Sequence, residues 1–355
     1  MNRSKAALAL IVVGALMGCG GENAQTNASA EPAKSGAASS QAAGSGKAAE
    51  KPAAGGTATA AATEKKEPVK ADAPPAATGG SLFKHMPKDC EEGRIYVNVA
   101  KILTPDTHDA LDSLTAKLIA EGGADAKKGD EALKALKEGG IEPAKNAKEV
   151  AVCANKSDDK TVVAVSMDMS KADKPADVFA KAMEKSTGKA PKKEEVDGVT
   201  YLQTEDGKGW FAFVGKDTIL ISKGKDAVTA AVKGGGGEGE YAEAPSYVVW
   251  AKMTDGNVQV MAKEAGDNFD LTIKGTDKNA AKIKSEFEKV QPELDKMADK
   301  MTAFKPLLPI GKNAKVEVSG ENFTATTNFP KKAIADTLNN MKDLSLKDLE
   351  KQMRF

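Results

Sequence analysis

Between Gly20 and Gly80 the chain carries one large aliphatic side chain, Val69, and no aromatic ring, so this tract has nothing from which to build a core. Pro52, Pro68, Pro74, Pro75 and repeated glycines interrupt every stretch with helix propensity, such as Ala60 to Lys66. The tract reads as a disordered tether, spanning roughly 45 Å root-mean-square as a flexible chain. Its six lysines are matched by six acidic residues, so it is no polybasic clamp for lipid. Whatever folds must lie between Ser81 and Phe355.

Composition narrows the function classes. The 51 basic and 51 acidic residues of the 355 cancel, which excludes the basic balance of a dedicated nucleic-acid binder. Only Arg3, Arg94 and Arg354 are arginines, so bidentate recognition of phosphate or carboxylate has few tools. His85 and His108 are the only histidines, which removes most routes to general-base catalysis and to zinc sites.

The first eighteen residues read as an export signal: Arg3 and Lys5 precede an apolar run from Ala6 to Met17. That run is shorter than the ~20 residues a transmembrane helix needs. It ends in Leu16, Met17, Gly18 and Cys19, which resembles the lipobox of bacterial lipoproteins. The resemblance implies cleavage before Cys19, a diacylglyceryl group on its sulfur, and acylation, palmitate included, of the new amino group. Two or three acyl chains at about 0.8 kcal/mol per buried CH₂ hold a protein to a bilayer almost permanently. The alternatives are an ordinary secretory signal or an uncleaved anchor. Gly20 stands where enterobacterial lipoproteins kept at the inner membrane usually carry aspartate, which favours the outer membrane.

Beyond the tether, periodicity returns. Ile95, Val97 and Val99 alternate as in a half-buried strand, and Thr104-Pro105-Asp106 opens a helix through Leu111, Leu114 and Leu118 that stops at Gly122-Gly123. A second helix carries Leu133 and Leu136 to Gly139-Gly140. Strands follow at 149–154 and 161–169, a helix at 174–186, then strands at 199–204, 210–214 and 218–222. The glycines at 234–237 mark 233–244 as a hinge or linker, and their G-x-G-x-x-G spacing is no dinucleotide fingerprint because a helix precedes it. Strands at 247–253, 258–262 and 269–273 lead to a long helix from about Lys278 to Thr302, kinked at Pro292. A hairpin of Val316, Val318 and Phe323 to Phe329, a helix opened by Pro330 and a last helix capped by Ser345 complete the pattern. Short links between successive strands imply antiparallel pairing.

The expected fold is α+β, antiparallel sheets with amphipathic helices packed on one face, in two similar halves at 81–232 and 245–355. A thin internal repeat supports the halves: Val165, Met167 and Met169 align with Phe269, Leu271 and Ile273 at an offset of 104, as do Glu184 and Lys185 with Glu288 and Lys289.

Candidate chemistry is sparse. Cys90 and Cys153 remain after lipidation, and an oxidising compartment favours their disulfide over two free thiols. His85 and His108 read as surface residues, Asp168 as a solvent-facing strand residue, and Trp210, Tyr247 and Trp250 as core or cross-strand pairs. No nucleophile, base and orienting partner can be nominated, so the chain is read as a non-enzyme without cofactor or metal, and a hydrolase is the least favoured alternative. Methionine is the suggestive excess: Met167, Met169, Met253, Met261, Met297 and Met301 fall at apolar positions, where they fill a core or line a cavity for a greasy ligand. A curved sheet backed by helices is similar in architecture to periplasmic lipoprotein carriers, and the folded region broadly resembles uncharacterised extracytoplasmic lipoproteins. The expectation is a membrane-anchored binding or interaction module of the cell envelope, its partner an envelope protein or an apolar small molecule and not nucleic acid; the alternative is a carrier or sensor of a lipid.

Overall fold

The computed structural model describes residues 80–121, 123–254, 257–294, 301–345 and 348. The expected signal peptide, Cys19, the tether as far as residue 79 and Met297 lie outside the described residues. All described residues belong to one compact unit.

Twelve strands form one antiparallel sheet, giving the expected α+β class. In chain order they are β1 (Gly93–Asn98), β2 (Ala147–Ala154), β3 (Val162–Met167), β4 (Lys192–Val196), β5 (Val199–Gln203), β6 (Trp210–Val214), β7 (Thr218–Ser222), β8 (Val249–Met253), β9 (Val258–Ala265), β10 (Asn268–Thr276), β11 (Lys315–Ser319) and β12 (Asn322–Pro330). Their spatial order is β11-β12-β10-β9-β8-β1-β2-β3-β7-β6-β5-β4. At the centre β1 pairs antiparallel with β8, placing Tyr96 opposite Trp250. On each side of this seam the first three strands run outward in sequence order, and the last strand of the half returns beside the third. Turning one side onto the other about the Tyr96–Trp250 pair makes Val165 the counterpart of Ile273, an offset of 108 at the third strand, where the sequence alignment has 104.

Eight helices matter here: α1 (Gly80–Phe83), α2 (Pro105–Glu121), α3 (Gly123–Glu138), α4 (Pro175–Thr187), α5 (Lys225–Lys233), α6 (Ala280–Val290), α7 (Leu308–Lys312) and α8 (Lys332–Lys342). The expected long helix runs as α6 to Val290 and is interrupted at Pro292, which cannot donate the next helical hydrogen bond, by a 3-10 turn at Gln291–Glu293; its expected continuation over 295–300 lies outside the described residues. In the first half β2 and β3 are apolar on both sides, so both faces need cover. One face buries Tyr96, Ala164, Trp210, Leu220 and Trp250 with residues of α1 and α5; the other buries Val150, Val165, Met167, Phe213 and Ile219 with residues of α3 and α4. In the second half the strands alternate. Lys263, Asp270, Lys274, Thr326 and Asn328 are exposed, and helices are needed on one face only.

Before β1 the chain is tied down twice. Cys90 is bonded to Cys153 of β2, with Cα atoms 5.2 Å apart. The glycine-rich segment read as a hinge is instead a fitted strap: Gly235 N–H donates to Lys84 O (2.8 Å), Lys88 N–H to Gly235 O (3.2 Å) and Gly237 N–H to Met86 O (2.9 Å). A Cβ on Gly235 would lie 2.2 Å from Met86 O, so these glycines serve close backbone approach rather than freedom.

Next to the strap, His85 is 3 % exposed and not a surface residue. Its Nδ1 lies 2.9 Å from Ala231 O, and as the N–H tautomer it donates there. Burial holds the imidazole below its ordinary value of 6.5, outweighing the carbonyl contact, which favours the charged form. A depressed histidine pKa means that the unfolded chain binds the proton first. The contribution of His85 to stability is therefore complete above pH 6.5 and is lost as pH falls from there toward the folded pKa. Urea midpoints at pH 7.5 and 5.5 should drop for the native sequence and drop less for His85→Gln, which retains an amide donor. Equal drops would assign the sensitivity to other groups.

Candidate functional site

The pattern that leaves one face of the second half polar turns Leu271 and Ile273 of β10 toward the helices, together with their lateral partners Thr327 and Ala325 of β12. Val316 of β11 lies beside Ala325 in the same row. Above them α6 contributes Ile283 and Phe287, one helical turn apart, and α7 contributes Ile310. Between sheet and helices is a cavity of about 320 Å³ whose twelve lining residues include no charged side chain and no histidine or cysteine. At its edge Phe323 lies over Gly275, where any Cβ would meet the ring at 2.6 Å.

Two side chains hold the wall. Thr327 Oγ1 donates to Ile310 O at 2.6 Å, and Gln291 Nε2 donates within the carbonyls of Gly311, Lys312 and Ala314, at 3.1, 2.8 and 3.1 Å. The turn at Pro292 thus places an amide where it closes the loop after α7. Inside the cavity the Thr327 hydroxyl proton is already spent.

The methionines do not make this site. Met167 and Met169 are buried in the first-half core, and Met261 is buried on the opposite sheet face in the cluster with Trp250. Met253 and Met301 are half-buried and, like the other described methionines, do not line the cavity. The flexible thioethers pack the core, while the cavity is walled by Leu, Ile, Phe, Val and Ala. The cue in the sequence lay in small residues, Ala325 and Thr327, at inward positions of a strand.

Elsewhere the expected surface chemistry takes ordinary forms. Asp168 is just past the end of β3 rather than on it, and its carboxylate accepts from the hydroxyl and backbone N–H of Ser170, which keep it below the usual range. Tyr96 donates to Glu149 at 2.8 Å, and burial foremost pushes its phenol up, out of any working range. Among the described residues no group of three or more His, Cys, Asp or Glu is placed to hold a metal ion. No described helix is long and apolar enough to cross a membrane.

No family model matches the chain, and no curated protein does. Among solved structures it is similar to three crystal forms of TP0453, a Treponema lipoprotein. Form I shows 10 % identity and a TM-score of 0.39 over 73 % of this chain and 97 % of that one. Form III shows 9 % and 0.40 over 74 % and 98 %, and form IV 9 % and 0.41 over 73 % and 96 %.

Proposed function

We propose that this protein is a lipid-anchored, extracytoplasmic binding protein, held at a membrane through Cys19 and taking up an apolar ligand without chemical change. The observation that carries the reading is the cavity between β10–β12 and α6–α7, whose volume of about 320 Å³ falls at the small end of the ~300–1,000 Å³ typical of ligand sites. Its walls favour transfer of apolar surface out of water by about 25 cal/mol per Å² and carry no charged side chain, histidine or cysteine. The signal ending at Cys19 supports the anchor and the compartment, with the outer membrane favoured by Gly20.

Native mass spectrometry of the mature chain, from residue 19 with Cys19→Ser and exported to an oxidising periplasm, tests the binding. The expected spectrum shows a stoichiometric adduct that denaturation releases and organic solvent extracts. Protein at its bare mass, unaltered after incubation with fatty acids, would remove the ligand and leave contact with an envelope protein as the task.

A further inference from the structure

Turned about the Tyr96–Trp250 pair, the two sides of the central seam bring their rows into correspondence but fill them differently. On the face that carries the cavity, one row passes outward through Val97, Val150, Val165, Ile219 and Phe213; its counterpart passes through Ala251, Val260, Ile273, Ala325 and Val316. The next row reaches Val163 and Ile221 on the first side, and Leu271 and Thr327 on the second. Up to the third strand the two sides carry aliphatic residues throughout. At the last strands the second side is consistently smaller: Ala325 for Ile219, Val316 for Phe213 and Thr327 for Ile221. In the first half this space is closed, with Phe179 of α4 against Phe213 at 5.2 Å between ring centroids. In the second, under α6, it is the cavity.

We infer that Ala325, Val316 and Thr327 are the specificity-determining residues of the site, and that an acyl chain enters the volume filled by Ile219, Phe213 and Phe179 in the other half. The inference rests on the reading of the cavity as a ligand site. Protein interiors are close-packed, so coordinated shortening at adjacent ladder positions leaves space that only another apolar group fills well. The ligand class follows from what the walls lack. There is no charged side chain among the lining residues, and the Thr327 proton is committed to Ile310, so a polar head has no partner inside and stays outside while a flexible hydrocarbon chain fills the gap.

The test is a titration of a fluorescent fatty acid into the mature chain carrying Cys19→Ser, with thermal unfolding run alongside. The native cavity should bind one equivalent saturably. Ala325→Ile and Val316→Phe, which restore the first-half pattern, should each weaken binding by about tenfold or more without lowering the melting temperature. Ile283→Ala should shift preference toward longer chains. If one filling variant fails to fold, the other carries the test. Unchanged affinity in the folded filling variants would overturn the assignment while leaving the binding function in place. A native adduct in mass spectrometry from a chain that takes up no fatty acid would overturn the acyl class alone. Neither adduct nor uptake would overturn both readings.

Discussion

Replacing both Cys90 and Cys153 by alanine should lower the unfolding free energy by about 4 kcal/mol, from the loop-closure entropy of a crosslink spanning 63 residues. The bond joins the segment before β1 to β2, and Cys153 is fully buried on the sheet face that also holds Tyr96 and Trp250. The double variant avoids leaving a lone thiol in that core. Urea unfolding of the native chain, with and without reductant, against the double variant provides the measurement. Reduced native protein should match the variant. A difference below about 1 kcal/mol would mean that the packing of α1 and the glycine strap already restrains this segment in the unfolded ensemble or replaces the bond in the folded one.

Gly235→Ala should cost about 2–4 kcal/mol, an effect out of proportion to one methyl group. The added Cβ would meet Met86 O at 2.2 Å, Met86 C at 2.4 Å and Pro87 N at 2.7 Å, all backbone atoms that cannot swing aside. Relief requires the strap to lift, which breaks its hydrogen bonds to Lys84 and Lys88 and uncovers Met86, fully buried beneath it. Gly239→Ala is the control, because nothing lies within 4 Å of its would-be Cβ and its backbone is not left-handed. The two variants should separate clearly in denaturant midpoint. Similar midpoints would return the segment to the status of a free linker.

The strap shows where sequence reasoning reaches its limit. A run of glycines signals conformational freedom and close approach with the same letters, and only the neighbouring backbone at 84–88 distinguishes them. The hairpins around 158, 266 and 320 were legible because alternation and turn residues are local signals. Strand β4 was not: Lys192-Lys193-Glu194-Glu195 reads as a solvated charge run, and charges of this kind are what guards the outer edge of a sheet, which is where β4 lies. His85 reads as exposed because nothing local shows that the segment after α1 meets α5, where Ala231 O lies against its ring. The cavity escaped for a related reason. Ala325 and Thr327 look like ordinary strand residues until one side of the sheet is turned about the Tyr96–Trp250 pair, which makes them the counterparts of Ile219 and Ile221, and the methionines, conspicuous in the sequence, pack the core.

The seam between β1 and β8 also constrains how the sheet assembles. The other ladders outward from it, except those made by β2, β7 and β12 with strands beyond an intervening helix, close across short turns, whereas the seam joins strands separated by nearly all of the first half. Contacts so distant in sequence carry the largest closure entropy and form slowly. Refolding should therefore proceed as rapid zippering of hairpins on each side, followed by one slower search in which Tyr96 finds Trp250, at a rate independent of protein concentration.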